Sequence, residues 1–411
     1  MGDYRKRAWK AFERMPIPDP SLEAWRRTDL KALPAGEFRL APLTDSAVPT
    51  ELLQPLTADQ HGGQLVIGSG RRHIAVDREL IDQGVIFTDL ETACAKHSEI
   101  IQKILGQTVN AEEGKFAAMA GAFAQDGLLL YVPNGVVVNA PLHSVLWGPG
   151  AGAAHFSHIL VYIDEGAEAT YVHESASPTE SQDALHAGIV EVIVAKGGSL
   201  RFVELQSWGR HIWNFTHERI RLEDNARLDW IFGAIGSRLT KNFSEVDLAG
   251  EGATGRMSGF YFTDGHQHLD HDTQQNHLAP HTTSDLLFKG ALRGHSRSVW
   301  QGMIYVAKGA SKTDGYQANR NLILDEAARA DSIPGLEILA DDVRCTHGAT
   351  VGKLEKEPLF YLSSRGIPHT DAVRLLVEGF FDPIMQRIPF EGVRARFQQA
   401  ILEKMESPSV A

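Results

Sequence analysis

The chain has 411 residues, 43% apolar and 22% charged, enough for two or three domains with a large core and too apolar for a disordered polymer. Its formal net charge of −12, with no clustered run of Lys and Arg, argues against a nucleic-acid partner, because phosphate binding needs concentrated positive charge. Two cysteines, Cys94 and Cys345, are too few for a disulfide framework and point to a reducing compartment. No apolar run approaches the ~18 to 20 residues that span a bilayer, so the expected location is the cytoplasm, with no membrane partner.

In chain order, the opening "MGDYRKRAWKAFERM" lacks the apolar stretch of a secretory signal and predicts a helix, with Trp9 and Phe12 three residues apart. In "PIPDPSLEAWRRTDLKAL" three prolines precede a second helix, expected to start with Ser21 as its N-cap. Short strands are expected at "QLVIGSG" and "GVIFTDL", and one helix through "ETACAKHSEIIQKIL", which carries Cys94.

From about residue 115 to 350 helical spacing gives way to short alternating runs such as "HILVYID", "IVEVIVA", "LRFVELQ" and "HERIRLE". Small-residue pivots at 166, 197, 225 and 252 are 31, 28 and 27 apart, and later pivots at Gly294, Gly309 and Ala327 are 15 and 18 apart. A repeat near 28 with a half-period near 15 suits a solenoid with two strands and two tight corners in each coil. Coils stacked at the inter-strand spacing of ~4.8 Å leave little room for side chains at the corners. The gap of 42 between 252 and 294 breaks the pattern, and an antiparallel β-sandwich with Gly-rich turns is the alternative.

After residue 354 helical spacing returns. "EKEPLFYLSSRG" ends on Gly366 as a C-cap, Thr370 is placed to N-cap a helix carrying Ala372, Leu375, Leu376 and Phe380, and Pro383 should stop it. A last amphipathic piece carries Val393, Phe397 and Ile401 on one stripe and runs to about Met405. The expected organisation is a mainly β protein: a helical domain over 1–114, a parallel β-helix over 115–353 and a helical domain over 354–411.

The chemistry is defined partly by absences. There is no GxxxxGK[ST], HExxH, GxSxG or CxxC, so the chain is not expected to hydrolyse ATP or to be an enzyme of those classes. Two stretches remain. In "GHQHLDHDTQQNHLAPHTTSD", residues 265–285, strand alternation would put His266, His268, Asp270 and Asp272 on one face and His271 on the other. That drawing allows a β-helix hydrolase or polysaccharide lyase using a metal; polar residues lining the outside of a coil are the plainer reading. In "ADDVRCTHGATVG" Cys345 and His347 would share a strand face as thiol and imidazole, which is half of a four-ligand site. Either the thiol is structural, or a second chain or sulfide supplies the remaining ligands.

Residues 317–367, "QANRNLILDEAARADSIPGLEILADDVRCTHGATVGKLEKEPLFYLSSRGI", resemble the SufD branch of the SufB/SufD family, components of the Suf iron–sulfur cluster assembly machinery. "KFAAMAGAFAQDGLLLYVPNGV" (115–136), "DHDTQQNHLAPHTTS" (270–284) and "PIPDPSLEAWRRTDL" are similar to the same family, so the likeness covers most of the chain. The SufB branch carries C-x-H-E-A-T-x-S where this chain has C-T-H-G-A-T-V-G. The resemblance implies a parallel β-helix flanked by helical domains, in a complex of one SufB, one SufD and two SufC ATPases. It implies a transient iron–sulfur cluster at the SufB–SufD interface with His347 as a ligand, and Cys345 as ligand or structural thiol. It implies SufC docking on the 354–405 helices, and it associates reduced flavin with the complex at no residue identifiable here. The sequence leaves open a homodimer of the chain alone.

Overall fold

The computed structural model describes residues 2–40, 47–54, 61–68, 71–388 and 390–406; Ser69 and Gly70 of the expected "QLVIGSG" run lie outside these. From Asp126 onward the chain alternates strands of 6 to 11 residues with tight corners, because β-branched and aromatic residues at alternate positions fill a lumen while small or left-handed residues turn the chain. Two ten-stranded sheets result. One runs from Ile86–Asp89 through alternate strands to Arg329–Ile338, the other from Arg71–Val76 to Arg344–Lys353. Among the described residues, antiparallel pairing is confined to the starts, where Gly63–Gly68 meets Arg71–Val76 and Ile86–Asp89 meets Asp126–Val132. Every later pairing is parallel, so the fold is a β-helix and not a sandwich.

The register matches the repeat. Ser199 pairs with Arg227 and Arg227 with Thr254, steps of 28 and 27 residues. Gly166, Gly197, Asn225 and Gly252 all have positive φ, the conformation a tight corner demands. The gap after 252 is filled by Gly265 (φ 57) and His281 (φ 58). His281 hid the corner because its side chain is large, although its backbone is left-handed. Corners alternate between the two edges of the solenoid, which is why Gly294, Gly309 and Ala327 fall at half the period.

The flanking elements differ from expectation in local detail. Ser21 caps no helix: Asp19 Oδ1 takes its amide N–H at 2.7 Å in an Asx turn, and only a single 3₁₀ turn, Glu23–Trp25, follows, without a side-chain cap. The helix through Cys94 is two helices, Leu90–Lys96 and Ser98–Ile104, broken at His97. The break lets Leu90, Ala93, Ile100 and Ile104 all reach Leu129 and Leu160 of the first sheet. Gly366 does end helix Lys356–Ser364, with φ 84 and its N–H bonded to Ser363 O at 3.0 Å. Thr370 lies inside helix His369–Met385, which is preceded by Pro368, and Pro383 sits within that helix rather than ending it. So near the last turn the ring costs one backbone hydrogen bond, and the helix finishes two residues on.

Helix Glu391–Glu406 and the second half of His369–Met385 lie on the outer face of the second sheet. Val377, Phe381, Val393, Phe397 and Ile401 bury themselves against Val203, Leu205, Ile231, Phe260 and Phe262. Helix Gly2–Arg14 packs on Lys115–Phe123, and Trp25 packs with Phe116 and Phe215 on the first sheet. Among the described residues no helix is long and apolar enough to cross a membrane.

Candidate functional site

The two sheets stop at strands Arg329–Ile338 and Arg344–Lys353, and among the described residues no further coil covers them. Register runs inward-facing positions straight to this end. Ser284 pairs with Gly315 and Gly315 with Cys345; Leu286 pairs with Gln317 and Gln317 with His347. Leu286 and Gln317 are wholly buried in the lumen, so alternation places Cys345 and His347 on the same inner face one and two coils later. Cys345 is half-buried and His347 exposed because the lumen opens there. In the facing strand, Leu336 (37% exposed) and Ile338 (39%) continue the buried Ile304 and Val306, and Val351 (49%) completes an apolar rim. The mouth therefore shows a thiol, an imidazole, apolar side chains and two unpaired strand edges, which ordinarily invite pairing with another chain.

The sulfur has room because Gly315 has no side chain: a Cβ there would lie 3.2 Å from Cys345 Sγ and 3.3 Å from His277 Nε2. Burial raises the Cys345 thiol pKa. His277 is not a spare ligand, since its ring nitrogens are held by Thr282 Oγ1 and Ser284 Oγ, both at 2.8 Å. Cys94 packs with the first coils, at the other end of the solenoid from Cys345. Among the described residues no group of three or more His, Cys, Asp or Glu side chains is placed to hold a metal. The chain thus brings two soft donors to its open end and no complete cage.

The histidine-rich stretch is organised differently from a metal site. His268, Asp270 and Asp272 do share the outer face of strand His268–His277, while His271 points inward among Phe232, Tyr261 and Phe288. Yet Asp270 is 3.0 Å from Lys241 Nζ, with both side chains fully buried, and Asp272 is 3.6 Å from the same nitrogen. Thr28 covers them, hydrogen-bonding His268 Nε2 at 2.8 Å and also Asp270. Burial pushes the His268 imidazole down to about 4 and the Asp272 carboxyl up to about 6. His266 stands apart at a corner, stacked on His295 of the next coil. A neutralised, covered carboxylate anchors the N-terminal segment; this arrangement does not favour hydrolase or lyase chemistry.

A cavity of about 780 Å³ lies between the proline-rich segment and the first sheet, lined by Ile17, Trp25, Phe116, Phe243, Arg219 and Lys115. It does not fit a flavin phosphate: Arg219 is held by Glu113 and Glu245 at 2.7 Å each, and Lys115 Nζ by Phe12 O at 2.6 Å.

A family model described as "SUF system FeS cluster assembly, SufBD core domain" matches residues 146–380, more than half of the chain. The chain belongs to the SufBD family. A second model, the "SufBD protein N-terminal region", matches residues 1–143 of this SufBD protein. The iron-sulfur cluster assembly protein SufB of Bacillus subtilis strain 168 is 33% identical over 316 residues, 76% of this chain and 67% of that protein. An iron-sulfur cluster assembly SufBD family protein of Staphylococcus epidermidis ATCC 12228 is 31% identical over 319 residues, 77% of this chain and 68% of its own. One in Staphylococcus aureus USA300 is also 31% identical, over the same shares. Membership ties this SufBD chain to iron–sulfur cluster assembly.

Proposed function

We propose that the chain is a SufD-type subunit, a non-catalytic scaffold that lends His347, together with Cys345, to a cluster assembled across its open end against SufB. The SufD branch is favoured by C-T-H-G-A-T-V-G in place of C-x-H-E-A-T-x-S. The observation that carries the reading is the placement of two soft donors, Cys345 half-buried and His347 exposed, on the inner face of the last coil, beside apolar side chains and free strand edges. A second β-helix stacked on this mouth would cover the rim and supply the missing ligands. The transient cluster is cargo of the complex and not a resident group of this chain.

The SufC ATPase would dock on the 354–405 helices. Their inner stripe is already spent on the second sheet, so the docking surface is the outer one, where Phe360 (75% exposed), Tyr361 and Leu375 stand. ATP binding to a SufC dimer would shift the population of helix positions and so the state of the mouth. The compartment in this reading is the cytoplasm, and reduced flavin belongs to the complex with no residue of this chain assigned to it. The alanine variant at His347, co-expressed with SufB and SufC and analysed anaerobically for iron and sulfide, should yield less cluster while keeping SufC in the complex. A normal cluster yield would remove His347 as a ligand.

A further inference from the structure

The lumen is divided lengthwise. Beside the corners at Gly166, Gly197 and Asn225 the inward side chains are apolar, Val192, Leu200, Leu222 and Leu228 among them; toward the opposite edge buried polar side chains such as Gln206, Asn214 and Thr240 are interspersed with apolar ones such as Trp208 and Ile212. In the middle coils of the polar side, Glu204 lies against Glu218. Glu218 accepts from Asn242 Nδ2 and Ser244 Oγ, both at 2.9 Å. Glu204 Oε2, Thr216 Oγ1 and Trp230 Nε1 are buried beside it without a hydrogen bond of good geometry among the described residues. Burial raises both carboxyls, and the Glu218 charge lifts Glu204 further, well above the usual range.

At the open end, Tyr261 O–H donates to Asn321 Oδ1 at 2.6 Å, and Asn321 Nδ2 donates to Asn319 Oδ1 at 2.6 Å and to Ser332 Oγ at 3.0 Å. Ser332 is half-buried at the mouth, on the strand facing Cys345 and His347. Between the two groups stands His271, whose register neighbours are Asn242 and Trp300 and whose ring centroid is 5.2 Å from that of Tyr261. Burial keeps its imidazole neutral, with a pKa pushed down to about 3, so it has one donor and one acceptor nitrogen. Among the described residues its Nε2 is buried without a hydrogen-bond partner, and Ser298 Oγ lies buried by the Tyr261 hydroxyl without a hydrogen bond of good geometry.

We propose that these side chains form a hydrated proton relay running inside the solenoid from the Glu204–Glu218 pair, past His271 and Tyr261, to Ser332 at the mouth. Unpartnered buried polar atoms of this kind are ordinarily satisfied by internal water, which would bridge His271 Nε2, Ser298 Oγ and Trp230 Nε1. The imidazole, the hydroxyls and water carry the proton, with water spanning the last step from Tyr261 to Ser332 because the Asn321 amide between them does not pass it; the amides of Asn242, Asn319 and Asn321 orient the carriers. Each hop breaks one O–H or N–H bond and forms another, so the net change is one proton moved between the carboxyl pair and the mouth. The relay goes beyond the cluster-scaffold reading and does not depend on it.

Infrared difference spectroscopy of the full chain tests it. At pH 7 the wild type should show a protonated-carboxyl C=O band that is lost in Glu204→Gln and that shifts promptly on transfer to D₂O. His271→Phe, whose ring suits the neighbouring Phe232, Tyr261 and Phe288, should slow that shift at least tenfold, and His271→Ser, which returns a hydroxyl and leaves room for water, should restore it. An absent band, an unchanged exchange rate in His271→Phe, or no restoration by serine would each overturn the relay. Cluster yield is not read, so failure here and failure of the SufB assignment are told apart.

Discussion

Lys241 and Asp270 form an ion pair 3.0 Å long in which neither side chain reaches solvent. Such a pair contributes little against a well-packed apolar alternative, but removing one partner leaves a bare buried charge. Lys241→Met should therefore cost about 3–5 kcal/mol in urea unfolding, and Lys241→Met with Asp270→Leu should recover most of that loss. A single variant within about 1 kcal/mol of wild type would show that the pair is not what holds the Thr28 segment down.

The Glu204 carboxyl sets a pH dependence whose sign is fixed. Its folded-state pKa is raised by burial first and the Glu218 charge second, above the value of 4.5 it would have in an unfolded chain. Between these two values the unfolded state releases the proton and the folded state keeps it, so stability falls as pH rises from about 4.5 toward the folded pKa. Glu204→Gln removes this loss. Thermal melting should find the variant equal to wild type near pH 4 and more stable at pH 7 to 8; equal melting across the range would place the carboxyl in an ionised state.

The β-helix was legible because its two constraints are local: strand alternation fills the lumen, and left-handed corners recur at 28 and 27 residues. The corner at His281 was not, because a backbone angle leaves no mark on a residue type unsuited to it. Cys345 and His347 could be paired from their spacing, but their exposure depends on the absence of a covering coil, a property of the whole stack. The Glu204–Glu218 contact joins side chains from two sheets, and the role of the aspartates near 270 depends on Lys241 and Thr28, distant in sequence. Pro383 read as a stop because its missing N–H was weighed without the sheet beneath, which holds Phe381 and Ile384 in place.

The mouth makes a surface prediction. Leu336, Ile338 and Val351 are at least 37% exposed, so a charge there should change the chain's own stability by no more than about 0.5 kcal/mol. Under the proposed stacking, Leu336→Asp with Val351→Asp should weaken association with SufB at least tenfold, about 1.4 kcal/mol, in a pulldown titration. Undiminished association would move the interface elsewhere.

The C-terminal helices separate folding from docking by which side a residue faces. Phe397 is 4% exposed and meets Phe260 edge-on at 4.9 Å, so Phe397→Ala should cost about 3–5 kcal/mol and loosen helix Glu391–Glu406 from the sheet. Its Lys404 would loosen with it. That buried ammonium is held by Asp264 Oδ1 at 2.7 Å and Phe262 O at 2.8 Å. Hydrogen exchange should accordingly rise across residues 391–406 and not along the lumen strands. Phe360, by contrast, is 75% exposed on a helix that has no buried residue. Under the proposed docking, Phe360→Ala should leave melting unchanged and reduce SufC retention, because an exposed aromatic contributes only when a partner covers it. If Phe360→Ala retains SufC fully while Phe397→Ala releases it, docking reads the position of the last helix and not the surface of Lys356–Ser364.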